Sequence, residues 1–394
     1  MKKKTRLIIA FMVLTVSIMF YGCSKETNDQ NSGTNSADEG PIRIGYIGPL
    51  TGDSAPWGIA QSNVLKMLSE EINAEGGVLG RQLEFFYYDN RSDNLETVNA
   101  AKRLIQQDKV SAIIGTDASG TSAAMANVCE ENKVPQLSFG TNQNVTIKDD
   151  GKVRPYTFRM ILTNEQLGGI IANYAYNELN TKTVGTLYEL GSDYSIGVKE
   201  AFEAKFIELG GTITTSEAYK TGEVDFRAQL SKIKETNPEA IFFPGLYKQI
   251  GLAANQARQL GIECRFLGTN SWAMADILTL AGEAIEDTYF TSILDFDDPL
   301  LDELKGKYMD KYNEHLEDMA YDGFAAHDAL KVLLDAINRA GSSDSVAIRD
   351  ALEKTKDVQG CAYNISSDPE TRNPDTQAYI MKVEGGKFKF ITKY

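Results

Sequence analysis

From Pro41 onward, short runs rich in β-branched and aromatic residues alternate with stretches whose apolar positions recur at helical spacing. Ile42–Ile47, Leu83–Tyr88, Val110–Ile114 and Val134–Phe139 read as strands. Between the first two, Ala60, Val64, Met67, Leu68 and Ile72 fall on one helical face, and Gly76-Gly77 and Gly80 end that helix. Strand–helix–strand alternation of this kind predicts a parallel sheet wrapped by helices.

A second series starts at Thr183–Tyr188. It continues through a helix with Ala201, Phe202, Phe206 and Leu209 on one face, then Thr212–Tyr219. A helix carrying Phe226, Leu230 and Ile233 follows, then Ala240–Phe243, a helix to Leu260, and Arg265–Leu267. The chain is therefore α/β, with two doubly wound lobes. After about Thr288 a third region adds helices, notably Phe324 to Ala340, and returns to strands at Ala378–Val383 and Phe388–Ile391. The two series echo each other. A turn and an aromatic residue follow the first strand of each: Gly52-Asp53-Ser54 with Trp57, and Gly191-Ser192-Asp193 with Tyr194. That strand edge is where ligands bind in open α/β sheets.

The first 22 residues do not follow this pattern. Lys2, Lys3, Lys4 and Arg6 precede an uncharged, mostly apolar run, Leu7 to Phe20, too short for a comfortable membrane span and placed as a secretory signal. It ends in Gly22-Cys23, which resembles a bacterial lipobox, so Cys23 is expected to carry lipid and to anchor the protein outside the cytoplasmic membrane. Residues 23–40 are small and polar and read as a flexible tether. Removing the signal would take the net charge from −15 to −19. Beyond that basic start the chain is acidic and without Lys/Arg clusters, and it is not expected to bind nucleic acid.

Catalytic signatures are absent. No nucleotide-binding glycine motif and no nucleophile elbow occurs, and nothing in the carboxylate spacing singles out a general acid/base pair. Of two histidines, His315 lies on a charged face and His327 among packed apolar residues. Cys129, Cys264 and Cys361 are far apart, lack metal-ligand spacing and read as buried free thiols. No enzyme activity, metal or cofactor is expected.

The informative segment is Ile113 to Ser122, where a strand ends at Gly115, a small polar loop follows, and a helix begins near Thr121. Ser119 and its neighbours can place a hydroxyl and backbone N–H groups at the positive end of that helix, a ready site for a carboxylate. Leu137 to Asn142 forms the equivalent edge of the next strand. There Gly140 leaves room, and Thr141 and Asn142 offer donors and acceptors.

The segments Gly45 to Gly52, Trp57-Gly58 and Ile72 to Gly80 resemble the opening of leucine/isoleucine/valine-binding-type lipoproteins, the solute receptors of ABC importers. Tyr88-Asp89-Asn90, Gly191 to Gly197, Val224-Asp225-Phe226 and Arg372-Asn373-Pro374 fit the same pattern. The resemblance implies a type I periplasmic-binding-protein fold, with three hinge crossovers near Tyr156–Met160, Thr288–Ser292 and Tyr363–Ser367. Lobe 1 would comprise residues 41–158 and 290–365, and lobe 2 residues 159–289 and 366–394. It also implies a ligand carboxylate held by Ser119 and by Gly140, Thr141 and Asn142, an aromatic wall and lid from Trp57 and Tyr194, and Tyr247 in the adjoining loop. Where amino-acid-binding members commonly present an acidic residue to the ligand ammonium, this chain has Asn270. Either another carboxylate, such as Asp117, Glu189 or Asp193, takes that role, or the ligand is a carboxylate or amide without an ammonium. The implied function is a monomeric, lipid-anchored receptor that closes around a branched-chain or other neutral amino acid and presents it to an ABC permease. The alternatives are a receptor for a non-amino-acid solute and a sensory receptor of the same fold.

Overall fold

A computed structural model describes residues 40–319 and 321–394. The segment read as a signal sequence, Cys23 and nearly all of the expected tether lie outside the described residues.

Five parallel strands form the first sheet: β1 (Ile42–Gly48), β2 (Leu83–Asp89), β3 (Ala112–Ile114), β4 (Gln136–Ser138) and β5 (Thr157–Arg159), in the order β2-β1-β3-β4-β5. Alternation along β1 feeds two cores, because successive side chains point to opposite faces. Ile42, Ile44 and Tyr46 join the main apolar cluster, whereas Ile47 packs with Ile113, Leu104 and Met125 on the other face. The second sheet contains β6 (Thr183–Leu190), β7 (Thr212–Lys220), β8 (Ala240–Phe242), β9 (Arg265–Gly268) and β10 (Tyr289–Ser292). After a hairpin of β11 (Val358–Gln359) and β12 (Asn364–Ile365), β13 (Tyr379–Glu384) and β14 (Lys387–Lys393) complete it in the order β14-β13-β10-β9-β8-β6-β7. β13 runs antiparallel to both of its neighbours.

The chain passes between the lobes three times. After β5 the helix Asn164–Asn177 packs on the helix Asp193–Glu208; after β10 the long helix Asp322–Ala340 packs on Ala55–Ala74; after β12 the chain returns to β13. Strand order reverses between β1 and β3 in one sheet and between β6 and β8 in the other. At such a reversal the following loops leave in opposite directions and open a crevice.

Several element boundaries differ from those expected. The third and fourth strands are short cores of the predicted runs, Ala112–Ile114 and Gln136–Ser138. The helix after Gly115 starts at Ser119, two residues early. His315 lies between helices instead of on a helical face, while His327 packs as expected. Among the thiols, Cys129 is buried, but Cys264 and Cys361 are only partly so; all three are free.

Candidate functional site

The loops after β1, β3, β6 and β8 converge on a cavity of about 110 Å³. Five lining residues immediately precede a helix: Ser54, Ala118, Ser192, Leu246 and Tyr321. The positive ends of five helices, drawn from both series and from the third region, therefore point at one small volume. Such a field favours an anionic group on a ligand.

One end of the cavity is built for that group. Ser119 is the first residue of its helix and caps nothing; its hydroxyl reaches across to the next loop. Ser119 Oγ accepts the N–H groups of Thr141 at 3.2 Å and Asn142 at 3.1 Å, and lies 3.4 Å from Thr141 Oγ1. With its lone pairs so engaged, the Ser119 O–H is left to donate. The first intrahelical donor is Ser122 N–H, to Ala118 O, which leaves the preceding N–H groups for a ligand. Gly140 sits behind this loop, where a Cβ would lie 2.8 Å from Ser122 Oγ and 3.0 Å from Val145, so only glycine lets the loop approach the helix. Asn142 is also off the cavity wall; its side chain donates to Asp193 O across the crevice at 2.9 Å.

Two carboxylates face the same cavity, Asp117 and Asp322. Burial pushes the Asp117 carboxyl up to about 6. Asp322 is 2% exposed, and burial, with the Asp117 charge beside it, holds its carboxyl well above the usual range. Gln61, itself fully buried, orients Asp322: Tyr46 donates its O–H to Gln61 Oε1 at 2.7 Å, and Gln61 Nε2 donates to Asp322 Oδ1 at 3.1 Å. Asp322 Oδ2 has no hydrogen-bond partner among the described residues. A buried carboxylate oxygen without a donor is costly unless a ligand supplies one. Asp322 reaches this position because its helix starts close against Ala55–Ala74; a Cβ on Gly323 would meet Leu316 at 2.5 Å and Val64 at 3.3 Å.

Trp57, Phe139, Tyr194 and Leu246 supply the apolar wall. Tyr247 stands behind it, edge-on to Trp57 with ring centroids 5.5 Å apart. Tyr194 Oη lies within hydrogen-bond distance of Thr269, Asn270 and Ser271. Asn270 lies on the wall, but its amide is engaged at both ends: Oδ1 faces Tyr194 and Nδ2 donates to Tyr321 Oη. Of the other candidate carboxylates, Glu189 accepts from Thr221 and lies off the wall, and Asp193 is exposed. At the mouth, Lys248 pairs with Asp53 at 2.5 Å; both are solvated, so the pair contributes little energy.

The structure thus brings Trp57, Ser119, Thr141, Tyr194 and Asn270 to the cavity wall and leaves Gly140, Asn142 and Tyr247 just behind it. Tyr321 and Asp322 were not legible beforehand. They precede a helix recognised from Phe324 onward, but their burial depends on a partner helix more than 200 residues away in sequence. His327, Asp328 and Cys361 approach one another elsewhere, yet Asp328 Oδ1 already accepts the Cys361 N–H and faces His327 Nδ1, each at 2.7 Å. That group is a hydrogen-bonded knot tying the β11–β12 hairpin to the long helix.

Two α/β lobes, joined by three crossovers and meeting over a small crevice ringed with helix starts, define a solute-binding receptor. The chain belongs to the periplasmic binding protein family, whose model matches residues 41–387. It is 28% identical over 367 residues to the Leu/Ile/Val-binding protein homolog 2 of Brucella abortus, covering 92% of this chain and 95% of that one. Among solved structures it resembles the leucine-binding protein LivK of Thermotoga maritima, with a TM-score of 0.81, 33% identity, and 89% and 98% of the two chains covered. It is similar also to LivJ of Streptococcus pneumoniae in complex with isoleucine, with a TM-score of 0.81, 30% identity, and 90% and 100% covered. These matches make it a type I binding protein of the ABC-importer class, whose members work outside the cytoplasm. No helix among the described residues is long and apolar enough to cross a membrane.

Proposed function

We propose that this receptor captures a branched-chain or other neutral amino acid as a monomer, by hinge closure, and delivers it to an ABC permease. The observation that carries the reading is the polarity of the cavity. Hydroxyl and N–H donors around Ser119 and Thr141 suit a carboxylate, the open oxygen of Asp322 with Asp117 beside it suits an ammonium, and Trp57, Phe139 and Leu246 suit an aliphatic side chain. In this reading Asn270 does not pair with the ammonium itself. It ties Tyr194 to Tyr321, so that both lobes are held around the ligand. Closure is favoured because only the closed form lets both lobes contact the ligand.

The test is calorimetry with leucine, isoleucine, valine and phenylalanine against their deaminated 2-keto acids. Binding of one or more amino acids, with the keto acids much weaker, is expected; the reverse preference would overturn the reading.

Binding should also depend on pH. Burial raises the Asp117 carboxyl to about 6 in the free protein. A bound ammonium would favour the ionised form and lower that value, so binding expels a proton as the pH falls through 6. Affinity should drop at least about tenfold between pH 7 and pH 5, because the Asp322 carboxyl, also raised by burial, adds to the Asp117 linkage. Calorimetry in buffers of different ionisation enthalpy should detect the released proton, and flat affinity over this range would refute the linkage.

Cys23 is proposed as the lipid-bearing N-terminus, with residues 23–40 as the tether. Cys23→Ser should leave the protein unprocessed or released from the membrane fraction. Normal processing and retention would place the anchor elsewhere.

A further inference from the structure

Arg159, the last residue of β5, is 1% exposed and lies at the first passage between the lobes. Its guanidinium donates to Gly140 O, to Asn142 O at 2.7 Å and to Asn373 Oδ1 at 2.8 Å, and faces Thr146 Oγ1 at 3.4 Å. No carboxylate forms an ion pair with it among the described residues; Glu165 acts on it only at longer range. Burial pushes its pKa down to about 10, which leaves it charged at neutral pH. A buried cation whose strongest acceptors are two carbonyls of one loop is costly, unless that loop carries its charge to an anion.

The loop has the geometry to do so. Gly140 C=O accepts from Arg159, and the N–H of the same peptide unit, on Thr141, donates to Ser119 Oγ. The Ser119 hydroxyl in turn opens on the cavity. The guanidinium, the Gly140–Thr141 peptide and the Ser119 hydroxyl therefore stand in series, each polarising the next toward the ligand, and hydrogen bonds in such chains strengthen one another. Thr141 C=O is held separately by Asn164 N–H at 2.9 Å, which fixes the plane of the next peptide.

We propose that Arg159 is a positioning residue for the ligand carboxylate: it orients the Gly140–Asn142 loop and supplies, through the Gly140 peptide and Ser119, the buried positive charge that the carboxylate neutralises. The inference rests on the amino-acid reading above and adds the residue that makes the site select an acid over its amide. A merely structural role would weaken all ligands alike. A charge role acts on the anion.

The experiment compares leucine with leucinamide, which keeps the ammonium and side chain but loses the carboxylate charge, in wild type, Arg159→Gln and Arg159→Lys. Circular dichroism establishes that each variant is folded. Wild type should prefer leucine strongly, and Arg159→Gln should lose that preference by roughly tenfold or more, mainly through weaker leucine binding. Arg159→Lys should keep most of the preference at pH 7 and lose it toward pH 9 relative to wild type, because burial lowers the pKa of a lysine but leaves a guanidinium charged. If Arg159→Gln does not fold, the alkaline loss in Arg159→Lys decides the matter. An unchanged leucine-to-leucinamide ratio in folded Arg159→Gln, or an alkaline profile in Arg159→Lys identical to wild type, overturns the inference alone. Where calorimetry selects isoleucine, valine or phenylalanine, that amino acid and its amide take the place of leucine and leucinamide; a wild type that does not prefer its amino acid to the amide overturns the amino-acid reading, and the inference with it.

Discussion

Asp322→Asn is expected to abolish useful binding of amino acids while making the unliganded protein more stable. Asp322 keeps one oxygen engaged with Gln61 and the other open on the cavity. An asparagine of the same shape keeps the Gln61 contact and turns an amide toward the ligand. Removing one partner of a buried charge pair costs on the order of 3 kcal/mol or more, or about 100-fold or more in Kd. Keto acids, which bring no ammonium, should be spared. Stability should move the other way. The Asp322 carboxyl is raised by burial, so the folded chain binds its proton more tightly than the unfolded chain does. Stability is therefore lost as pH rises from the unfolded carboxylate pKa, about 3.9, through the raised folded value. The asparagine variant escapes this penalty. Its unliganded Tm at pH 7 should exceed that of wild type by roughly 2–4 °C for each kcal/mol relieved, with less dependence on pH. Thermal unfolding with and without leucine checks both halves, and a variant that binds leucine as wild type does would remove Asp322 from the site.

Ser119→Ala should show the complementary selectivity. The substitution removes the donor aimed at the cavity and strips the acceptor from the N–H groups of Thr141 and Asn142. Losing a hydrogen bond to a charged group costs roughly 1.5–3 kcal/mol, about 10- to 150-fold in affinity. Here amino acids and keto acids should suffer alike, because both present a carboxylate. A loss below threefold in a folded variant would move the carboxylate away from Ser119. Together the two substitutions assign the two ends of the ligand independently.

The fold and the placement of Ser119 and Thr141 at the cavity were legible in the sequence for related reasons. Apolar residues at Ile42, Ile44 and Tyr46, and at Ala60, Val64 and Met67, repeat with the periods of strand and helix because each element buries one face locally. Ser119 and Thr141 could be singled out because both lie in the short loops that leave the ends of strands, and strand ends in such sheets face the crevice. The start of the Ser119 helix was placed two residues late because Ser119 reads as a cap. In the structure Ala118 takes the cap position and the hydroxyl serves another loop.

What the chain determined on its own was the two-lobed α/β architecture, through alternating elements in two series, and, through the family resemblance carried by Gly45 to Gly52 and Ile72 to Gly80, the class of protein. The tertiary structure alone decided the partners of the polar and charged groups on and behind the cavity wall. Asp322 matters because of Gln61, 261 positions away; Asn270 because Tyr194 and Tyr321 occupy its amide from opposite sides; Arg159 because it meets the carbonyls of a loop that lies almost 20 residues earlier. Periodicity encodes which face of an element is buried, since that is set by near neighbours. The cost or use of a buried charge is set by whatever the fold brings within hydrogen-bond reach, and no local pattern carries that information.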